Sequence, residues 1–323
     1  MKRNASIISI LRERASLLSE IRHFFADRGV LEVDTPVLSS AANPDAAIAP
    51  LLSGYFQPGA YQSQRLYLQT SPEFAMKRLL AAGSGSIFQV CHAFRNGELG
   101  GMHNPEFTLL EWYRIDYDHL QLMDEVDVLL MQLLPGCKAA QRHRYADLFL
   151  SHTGLDLFAA DERLLQQRAV DAGVVMPESA STEWLIEMLF EQCVGPWLRQ
   201  QQGVMVTDYP AAQASLSRLS AEDPRVAERF EYYYRGMELA NGFHELADAG
   251  EQRMRFEAEN RKRRQAGQEQ LPLDEQLLQA LEHGLPECSG VALGVDRLLM
   301  LRCGADSIQQ VLAFPFDHFS ATR

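Results

Sequence analysis

Residues 94–108 read FRNGELGGMHNPEFT and say more about this chain than any other segment. Apolar runs lie on either side, at residues 87–91 and 107–112, so the pattern predicts a β-hairpin with a charged loop. Arginine offers a planar fork of donors that fits phosphate oxygens, and an aromatic ring can stack on a base. We interpret the loop as a nucleotide-binding element, and a plain polar turn is the alternative that the same residues allow.

The composition is that of a globular protein, with 46% hydrophobic and 23% charged residues among 323. The net formal charge of −13 argues against an extended basic surface for nucleic acid, because affinity for the phosphate backbone comes mostly from lysine and arginine. The five cysteines are odd in number and lack CxxC spacing, which predicts neither a disulfide framework nor a zinc site. Neither a secretory signal nor a membrane span is indicated, so we expect a cytoplasmic protein.

The first part of the chain predicts a helix, an edge strand, a loop and a second helix. Apolar residues recur at helical spacing over residues 7–27. Residues 30–38 alternate like a strand until Pro36, which suits an edge or interface position. Residues 39–64 contain several turn pairs and predict a loop with one short strand. Residues 70–73 then predict a helix start with proline at the first helical position.

The remainder predicts further hairpins and a strand that runs directly into a helix. Residues 119–134 have a helical pattern, and residues 136–200 mix short helices and loops without a chemical motif. Residues 289–294 predict a glycine-rich strand, and Arg297 lies where a helix follows it. Because hairpins dominate and no βαβ pattern repeats, we predict an α+β fold with a mainly antiparallel sheet flanked by helices.

Three separated segments, taken in order, resemble the signature motifs of class II aminoacyl-tRNA synthetase catalytic domains. They lie at about residues 17–38, 87–114 and 288–303. The resemblance implies that residues 1–323 form a single catalytic domain of this class, with a less informative middle region at about 136–200. It also implies a homodimer that pairs through the first motif.

Three further segments look like the lysine site of lysyl-tRNA synthetase: residues 71–73, 111–113 and 241–245. The resemblance implies that Glu73 binds the α-amine, that Glu245 and Tyr113 bind the ε-ammonium, and that Asn241 orients a carboxylate. Several carboxylates also suit a substrate with two ammonium groups on chemical grounds alone. The full set implied for lysine is Ser71, Pro72, Glu73, Glu111, Tyr113, Asn241, Glu245 and Ala292.

The same resemblance implies an ATP site. Arg95 would bind the α-phosphate and Phe107 would stack on adenine, while Arg297 would cover the other face of the base and reach the terminal phosphate. Glu231 and Glu238 would bind Mg²⁺, which prefers oxygen ligands. Arg95 and Arg297 are the implied catalytic groups, and the implied ATP contacts are Arg95, Asn96, Gly97, Glu98, His103, Asn104, Phe107, Glu238, Leu239, Gly294 and Arg297.

Two positions depart from the lysyl synthetase pattern. Gly97 occupies a position where the synthetase hairpin has glutamate, so either Glu98 takes that role or an ATP contact is lost. Ala292 stands where the synthetase has glycine and adds a methyl group near the amino-acid site. His244 lies beside Glu245, but no second histidine has ligand spacing, so we expect no metal there.

Only about twenty residues precede the first motif, and we expect no anticodon-binding domain, because a separate domain needs roughly 50 residues. With that feature and Ala292, the chain resembles the lysyl synthetase paralogues that modify elongation factor P. The resemblance implies a ligase that activates lysine or (R)-β-lysine with ATP, releases pyrophosphate and AMP, and transfers the product to a lysine ε-amine of elongation factor P. The alternatives are a minimal tRNA-charging synthetase, a non-catalytic lysine sensor, and a more distant ligase of the same fold.

Overall fold

The computed structural model describes residues 6–59, 63–177 and 180–316, which fall into two units. The first unit contains the residues up to Asp116, Leu133–Pro135, and those from Leu246 onward. The second contains Tyr117–Gln132 and Gly136–Glu245. The interpretation of the chain as a single domain stays a prediction.

The helices, in chain order, are α1 (Ile7–Ala26), α2 (Glu73–Ala81), α3 (His119–Leu133), α4 (Tyr145–Thr153), α5 (Glu162–Asp171), α6 (Thr182–Leu189), α7 (Gly195–Leu198), α8 (Ala249–Gln265), α9 (Glu275–His283) and α10 (Val295–Cys303). The strands are β1 (Leu31–Glu32), β2 (Leu38–Ser39), β3 (Leu52–Tyr55), β4 (Gln64–Leu68), β5 (Ile87–Phe94), β6 (Glu106–Ile115), β7 (Gln141–Arg144), β8 (Val204–Pro210), β9 (Val226–Tyr234), β10 (Met237–His244) and β11 (Cys288–Gly294). No helix within the described ranges has both the length and the apolar character needed to cross a membrane.

The first unit is built on the strands β1, β5, β6 and β11, which lie side by side in that order. β1 runs parallel to β5, and the other two pairings are antiparallel. Helix α1 starts at the N-cap Ser6, whose side chain accepts a hydrogen bond from the Ser9 amide. Its buried stripe includes Leu17, Ile21 and Phe25, and the Phe25 ring stacks on Phe88 of β5. The predicted first helix is therefore confirmed.

The second unit is built on β10, β9, β8 and β7, again side by side and antiparallel except for the parallel pair β7–β8. The helices α4 to α7 cover part of it with a separate apolar core. Tyr145 lies at the centre of that core and stacks on Phe190 at a centroid distance of 4.1 Å. Antiparallel pairing thus dominates in both units, as the hairpin pattern predicted.

The predicted charged hairpin is confirmed: β5 and β6 pair from Ile87 opposite Tyr113 to Phe94 opposite Glu106. β11 pairs with the other edge of β6, and its Ala292 lies opposite Glu111. Residues 94–106 therefore form a loop at one end of the pair. Because β6 lies between β5 and β11, its polar residues, such as Glu111, are inside the sheet of the first unit and not at its edge.

Two local predictions were wrong in detail. The segment 30–38 is not one strand, because only Leu31–Glu32 and Leu38–Ser39 pair with neighbours. Thr35 between them instead donates its hydroxyl to Gln89 of β5 at 3.0 Å. Proline is not the first helical residue of α2, which begins at Glu73, whose amide donates to Ser71 Oγ at 3.0 Å. The predicted loop 39–64 contains β2, β3 and the start of β4, and its residues 60–62 lie outside the described residues.

Candidate active site

Two carboxylates and their donors form a buried polar group in the first unit. Glu111 of β6 is almost fully buried, Ser71 donates to its Oε2 at 2.8 Å, and Tyr113 donates to its Oε1 at 2.6 Å. Glu111 and Tyr113 are two residues apart on one strand, so both side chains point to the same face of the sheet. Glu73 stands at the first position of α2, and its Oε1 lies 2.7 Å from Nζ of the buried Lys77.

The electrostatics of this group favour a cationic ligand. Burial, followed by the negative charge of Glu73, raises the pKa of Glu111 to about 7, against the opposing effect of hydrogen bonds from Tyr113 and Ser71 and of the charge of Lys77. The ammonium of Lys77 therefore lies near two carboxyl groups, those of Glu73 and Glu111. An amine bound beside Glu111 would complete the charge balance and favour its ionised form.

A cavity of about 340 Å³ lies next to these residues in the first unit. Its wall includes Ser71, Glu73 and Arg78, together with residues 38–43 and Asp274. Its volume is within the range of small-molecule sites, which run from about 300 to 1,000 Å³. The predicted lysine residues Ser71, Pro72 and Glu73 therefore border a space that can hold a small ligand.

Arg95 stands at the beginning of the hairpin loop and is held from three sides. Its guanidinium carbon lies 5.1 Å from the centroid of the Phe107 ring, and its Nε donates to the Thr70 carbonyl at 3.5 Å. Its Nη1 lies 3.8 Å from Oε1 of Glu98. Gly97 has φ +83°, a left-handed conformation in which a side chain is strained. The glycine turns the chain so that the following glutamate reaches the arginine.

Arg297 reaches the other end of the same loop. Its Nη2 donates to Nε2 of His103 at 2.7 Å, and its Nε lies 3.4 Å from the Met102 carbonyl. Partial burial, followed by the charge of Arg297, lowers the pKa of His103, so its imidazole is neutral near pH 7. The structure thus brings together two of the predicted nucleotide contacts.

Asp296, which the sequence did not single out, fixes the start of the helix that carries Arg297. Its carboxylate is buried, accepts the Thr108 amide at 2.6 Å on Oδ2, and pairs with Arg14 at 2.5 Å through Oδ1. These contacts tie α10 to β6 and α1. Gly294, a predicted ATP contact, is the N-cap residue of α10. The sequence signal that could have identified Asp296 was its position next to Arg297 in the third motif.

Asn104 holds the loop itself. Its Nδ2 donates to the Glu106 carbonyl at 2.6 Å, and its Oδ1 accepts the Phe316 amide at 3.1 Å. The residue is buried. Its predicted contact with the nucleotide stays a prediction, and its observed contacts fix the backbone between His103 and Phe107.

The second unit gathers another set of predicted residues on β9 and β10. Asn241 lies opposite Glu231 and donates to its Oε1 at 3.2 Å. Arg229 donates to the same oxygen and Tyr233 to Oε2, each at 2.5 Å. Arg229 and Tyr233 were missed by sequence reasoning, yet their alternate positions on the strand, two residues from Glu231, are a readable signal.

The carboxylates predicted to bind Mg²⁺ have suitable donor chemistry, because Mg²⁺ prefers oxygen ligands. An ionised carboxylate has about four acceptor sites, and the three donors to Glu231 leave it about one. Glu238 lies opposite Tyr233, immediately before an irregularity in the pairing of β9 and β10. The donor chemistry of these carboxylates therefore fits a magnesium ion that keeps most of its water ligands.

The remaining predicted residues lie within or beside elements that the structure describes. Leu239 is buried in β10, and Glu245 is buried where that strand ends and bridges to Ser217. Asn96 donates its amide to the Ala49 carbonyl at 2.7 Å. Their contacts with lysine or ATP stay predictions.

Comparison with known proteins gives the family. Residues 1–318 match the family described as tRNA synthetases class II (D, K and N). The chain is 53% identical over 312 residues to the elongation factor P–(R)-β-lysine ligase of Edwardsiella ictaluri (strain 93-146), covering 96% of each chain. It is 51% identical over 316 residues to the proteins of that name from Salmonella typhi and Salmonella paratyphi B (strain ATCC BAA-1250 / SPB7), covering 97% of each chain. The resemblance inferred from the motifs is confirmed: this chain belongs to the class II tRNA synthetases of the D, K and N group, and within them to the family of elongation factor P–(R)-β-lysine ligases.

Proposed function

We propose that this protein is an ATP-dependent ligase that attaches lysine or (R)-β-lysine to elongation factor P. In the first step, a carboxylate oxygen of the amino acid attacks the α-phosphorus of ATP, and the bond to the leaving pyrophosphate breaks. In the second step, a deprotonated lysine ε-amine of elongation factor P attacks the carbonyl carbon of the adenylate. AMP leaves, an amide forms, and the amine loses its second proton.

The observation that carries this proposal is the buried acceptor group made of Glu73, Glu111 and Tyr113, of which Glu73 lines a small cavity. Acidic groups at that depth need a cation, and the substrate supplies two ammonium groups. Glu73 receives the amine next to the reacting carboxylate, and Tyr113 receives the terminal ammonium. The names of the relatives support this substrate class.

The hairpin and the third motif act on the nucleotide. Arg95, with its planar fork, binds the α-phosphate and the entering carboxylate, so that it stabilises the charge that develops as the bond forms. Phe107 stacks on adenine and Arg297 covers the opposite face. Glu238 and Glu231 would hold Mg²⁺, which would supply charge neutralisation for the pyrophosphate oxygens.

Three further parts of the proposal concern the oligomeric state, the cellular location and the acceptor. A homodimer through the first motif is supported by exposed apolar side chains at Leu31 and Leu38 within it and at Ile7, Ile8 and Leu11 just before it. A protein substrate that serves translation places the reaction in the cytoplasm. We propose that tRNA is not an acceptor, and the acidic net charge of the chain supports this.

The activation step is tested by exchange of radiolabelled pyrophosphate into ATP with lysine and with (R)-β-lysine. We expect exchange that depends on one of these amino acids and that is lost in Arg95→Ala. Lysine binding in calorimetry without exchange would instead identify a non-catalytic lysine sensor and overturn the proposal.

A further inference from the structure

Two histidines and one glutamate that the proposed reaction does not use lie together in the second unit. They are His119, Glu228 and His244, and one possible ligand atom from each lies within 4.8 Å of the others. Sequence reasoning dismissed metal at His244, because no second histidine had ligand spacing. The fold supplies the second histidine from the first residue of α3, far away in the chain.

The geometry around Glu228 is close to that of a ligand set. Its Oε2 lies 2.7 Å from Nδ1 of His244 and 3.8 Å from Nδ1 of His119. Zinc–ligand bonds of about 2.0–2.1 Å in a tetrahedral arrangement separate neighbouring ligand atoms by about 3.3 Å. The two observed distances bracket that value, so small rotations of the imidazole rings would bring the three ligand atoms to the spacing that zinc requires.

The surroundings keep the three side chains in place and largely away from water. Exposed fractions of the side chains are 12% for His119, 15% for Glu228 and 4% for His244. The His119 Nδ1 atom is buried and makes no hydrogen bond with a described residue. A buried ring nitrogen without a hydrogen bond lowers the stability of the fold unless a ligand binds to it.

Hydrogen bonds of the backbone also hold the segments that carry the three side chains. The amide of Arg218 donates to the His244 carbonyl, and the amide of Glu228 donates to the Arg218 carbonyl, both at 3.0 Å. Asp118 and Gln121 exchange hydrogen bonds between side chain and backbone at the start of α3, which fixes the position of His119. Each ligand residue is thus held by its own element.

The guanidinium of Arg218 is in direct contact with the group. Its Nε donates to Oε2 of Glu228 at 2.9 Å. A carboxylate oxygen has two acceptor positions, and carboxylates that ligate metals are commonly hydrogen-bonded by a neighbouring donor. Arg218 therefore occupies one position and orients the carboxylate, while the other position remains directed toward the histidines.

We propose that His119, Glu228 and His244 bind a zinc ion, with water as the fourth ligand. Two imidazole nitrogens and one carboxylate are a donor set that zinc accepts in proteins. The ion ties the first residue of α3 to β9 and to the end of β10. Glu245 follows His244 directly, so the ion also steadies the strand end that leads to this lysine-site residue.

The test is zinc retention by the full-length protein. The protein is purified with a chelator, incubated with several equivalents of Zn²⁺, desalted and measured by atomic emission, and its thermal unfolding is followed with and without the ion. We expect one zinc per chain and a higher Tm with zinc. His119→Gln and Glu228→Gln should lose the retained zinc and the zinc-dependent rise in Tm.

The control is His92→Ala, which removes an exposed histidine that pairs with Glu106 at 2.7 Å in the first unit. It should retain zinc like the unchanged protein. If Glu228→Gln fails to fold, His119→Gln alone tests the site. The Tm of His119→Gln in chelator should equal that of the unchanged protein. Less than one retained zinc, or equal retention by His119→Gln, would overturn the site and leave an ion-pair network of Glu228 with Arg218 and His244.

Discussion

At the scale of single residues, Lys77 is the most consequential finding of the first unit. Its ammonium is 1% exposed and lies 2.7 Å from Glu73, in a group that also contains the buried Glu111. Without that ammonium, the carboxylates would face each other in a region of low polarity. The lysine therefore keeps the empty pocket stable while a place for substrate amines remains.

Lys77→Met should lower the free energy of unfolding by about 3 kcal/mol, because it leaves a buried charge without its partner. Saturating lysine should recover part of this loss, since its amine replaces the missing cation. Urea unfolding with and without lysine measures both effects. Lys262→Met is the matched control, because Lys262 is 53% exposed and pairs with Glu259 on the surface; its effect should stay below about 0.5 kcal/mol. Equal losses in the two variants would contradict the role of Lys77.

Glu111 should make stability depend on pH. Burial, then the charge of Glu73, raises its pKa from 4.5 to about 7 in the folded protein. A raised folded-state pKa means that the contribution to stability is full below pH 4.5 and is lost as the pH rises through 7. A shift of that size corresponds to about 3 kcal/mol. Glu111→Gln should therefore flatten the decrease in unfolding free energy between pH 5 and 8, and an unchanged slope in urea titrations at several pH values would count against it.

At the scale of elements, the β5–β6 hairpin and the start of α10 carry the nucleotide residues. Asp296 joins these elements through Thr108 and Arg14. Asp296→Asn should lower the unfolding free energy by about 2 kcal/mol, the range of hydrogen bonds to charged groups. Because Arg297 then shifts, KM for ATP should rise about tenfold, which corresponds to about 1.4 kcal/mol.

Urea unfolding and pyrophosphate exchange at varied ATP measure these two changes. Asp124→Asn is the control, because that carboxylate is 71% exposed and pairs with Arg142 at the surface. It should leave KM for ATP unchanged. A normal KM in Asp296→Asn would show that Arg297 keeps its position without the aspartate.

The sequence predicted an element correctly where the pattern that determines it lies within the segment itself. Helix α1 and the β5–β6 hairpin were predicted because their periodicity is contained within each segment. The strand over 30–38 was wrong, because pairing depends on partners such as Gln89 that lie far away in the chain. The same reason hides the histidine cluster, whose members meet only through tertiary contacts, whereas Lys77, four residues after Glu73 on one helix, and Arg229, two residues before Glu231 on one strand, had local signals.

At the scale of the whole molecule, the exposed apolar residues of the first motif predict a dimer. The side chain of Leu31 is 56% exposed although its neighbours belong to a paired sheet. Light scattering at micromolar concentration should give twice the chain mass of 36.4 kDa. Leu31→Glu should give the single-chain mass, whereas Val175→Glu, at a residue 91% exposed in the second unit, should remain dimeric. A monomer for the unchanged protein would contradict the prediction.

In the proposed reaction, the activated amino acid is transferred to a protein and not to tRNA. The most direct measurement incubates the purified protein with ATP and radiolabelled lysine or (R)-β-lysine, together with elongation factor P or tRNA. An amide on a lysine side chain resists mild alkali, whereas an ester on tRNA does not. We expect alkali-stable label on elongation factor P, and alkali-labile label on tRNA with none on the protein would overturn the proposed acceptor.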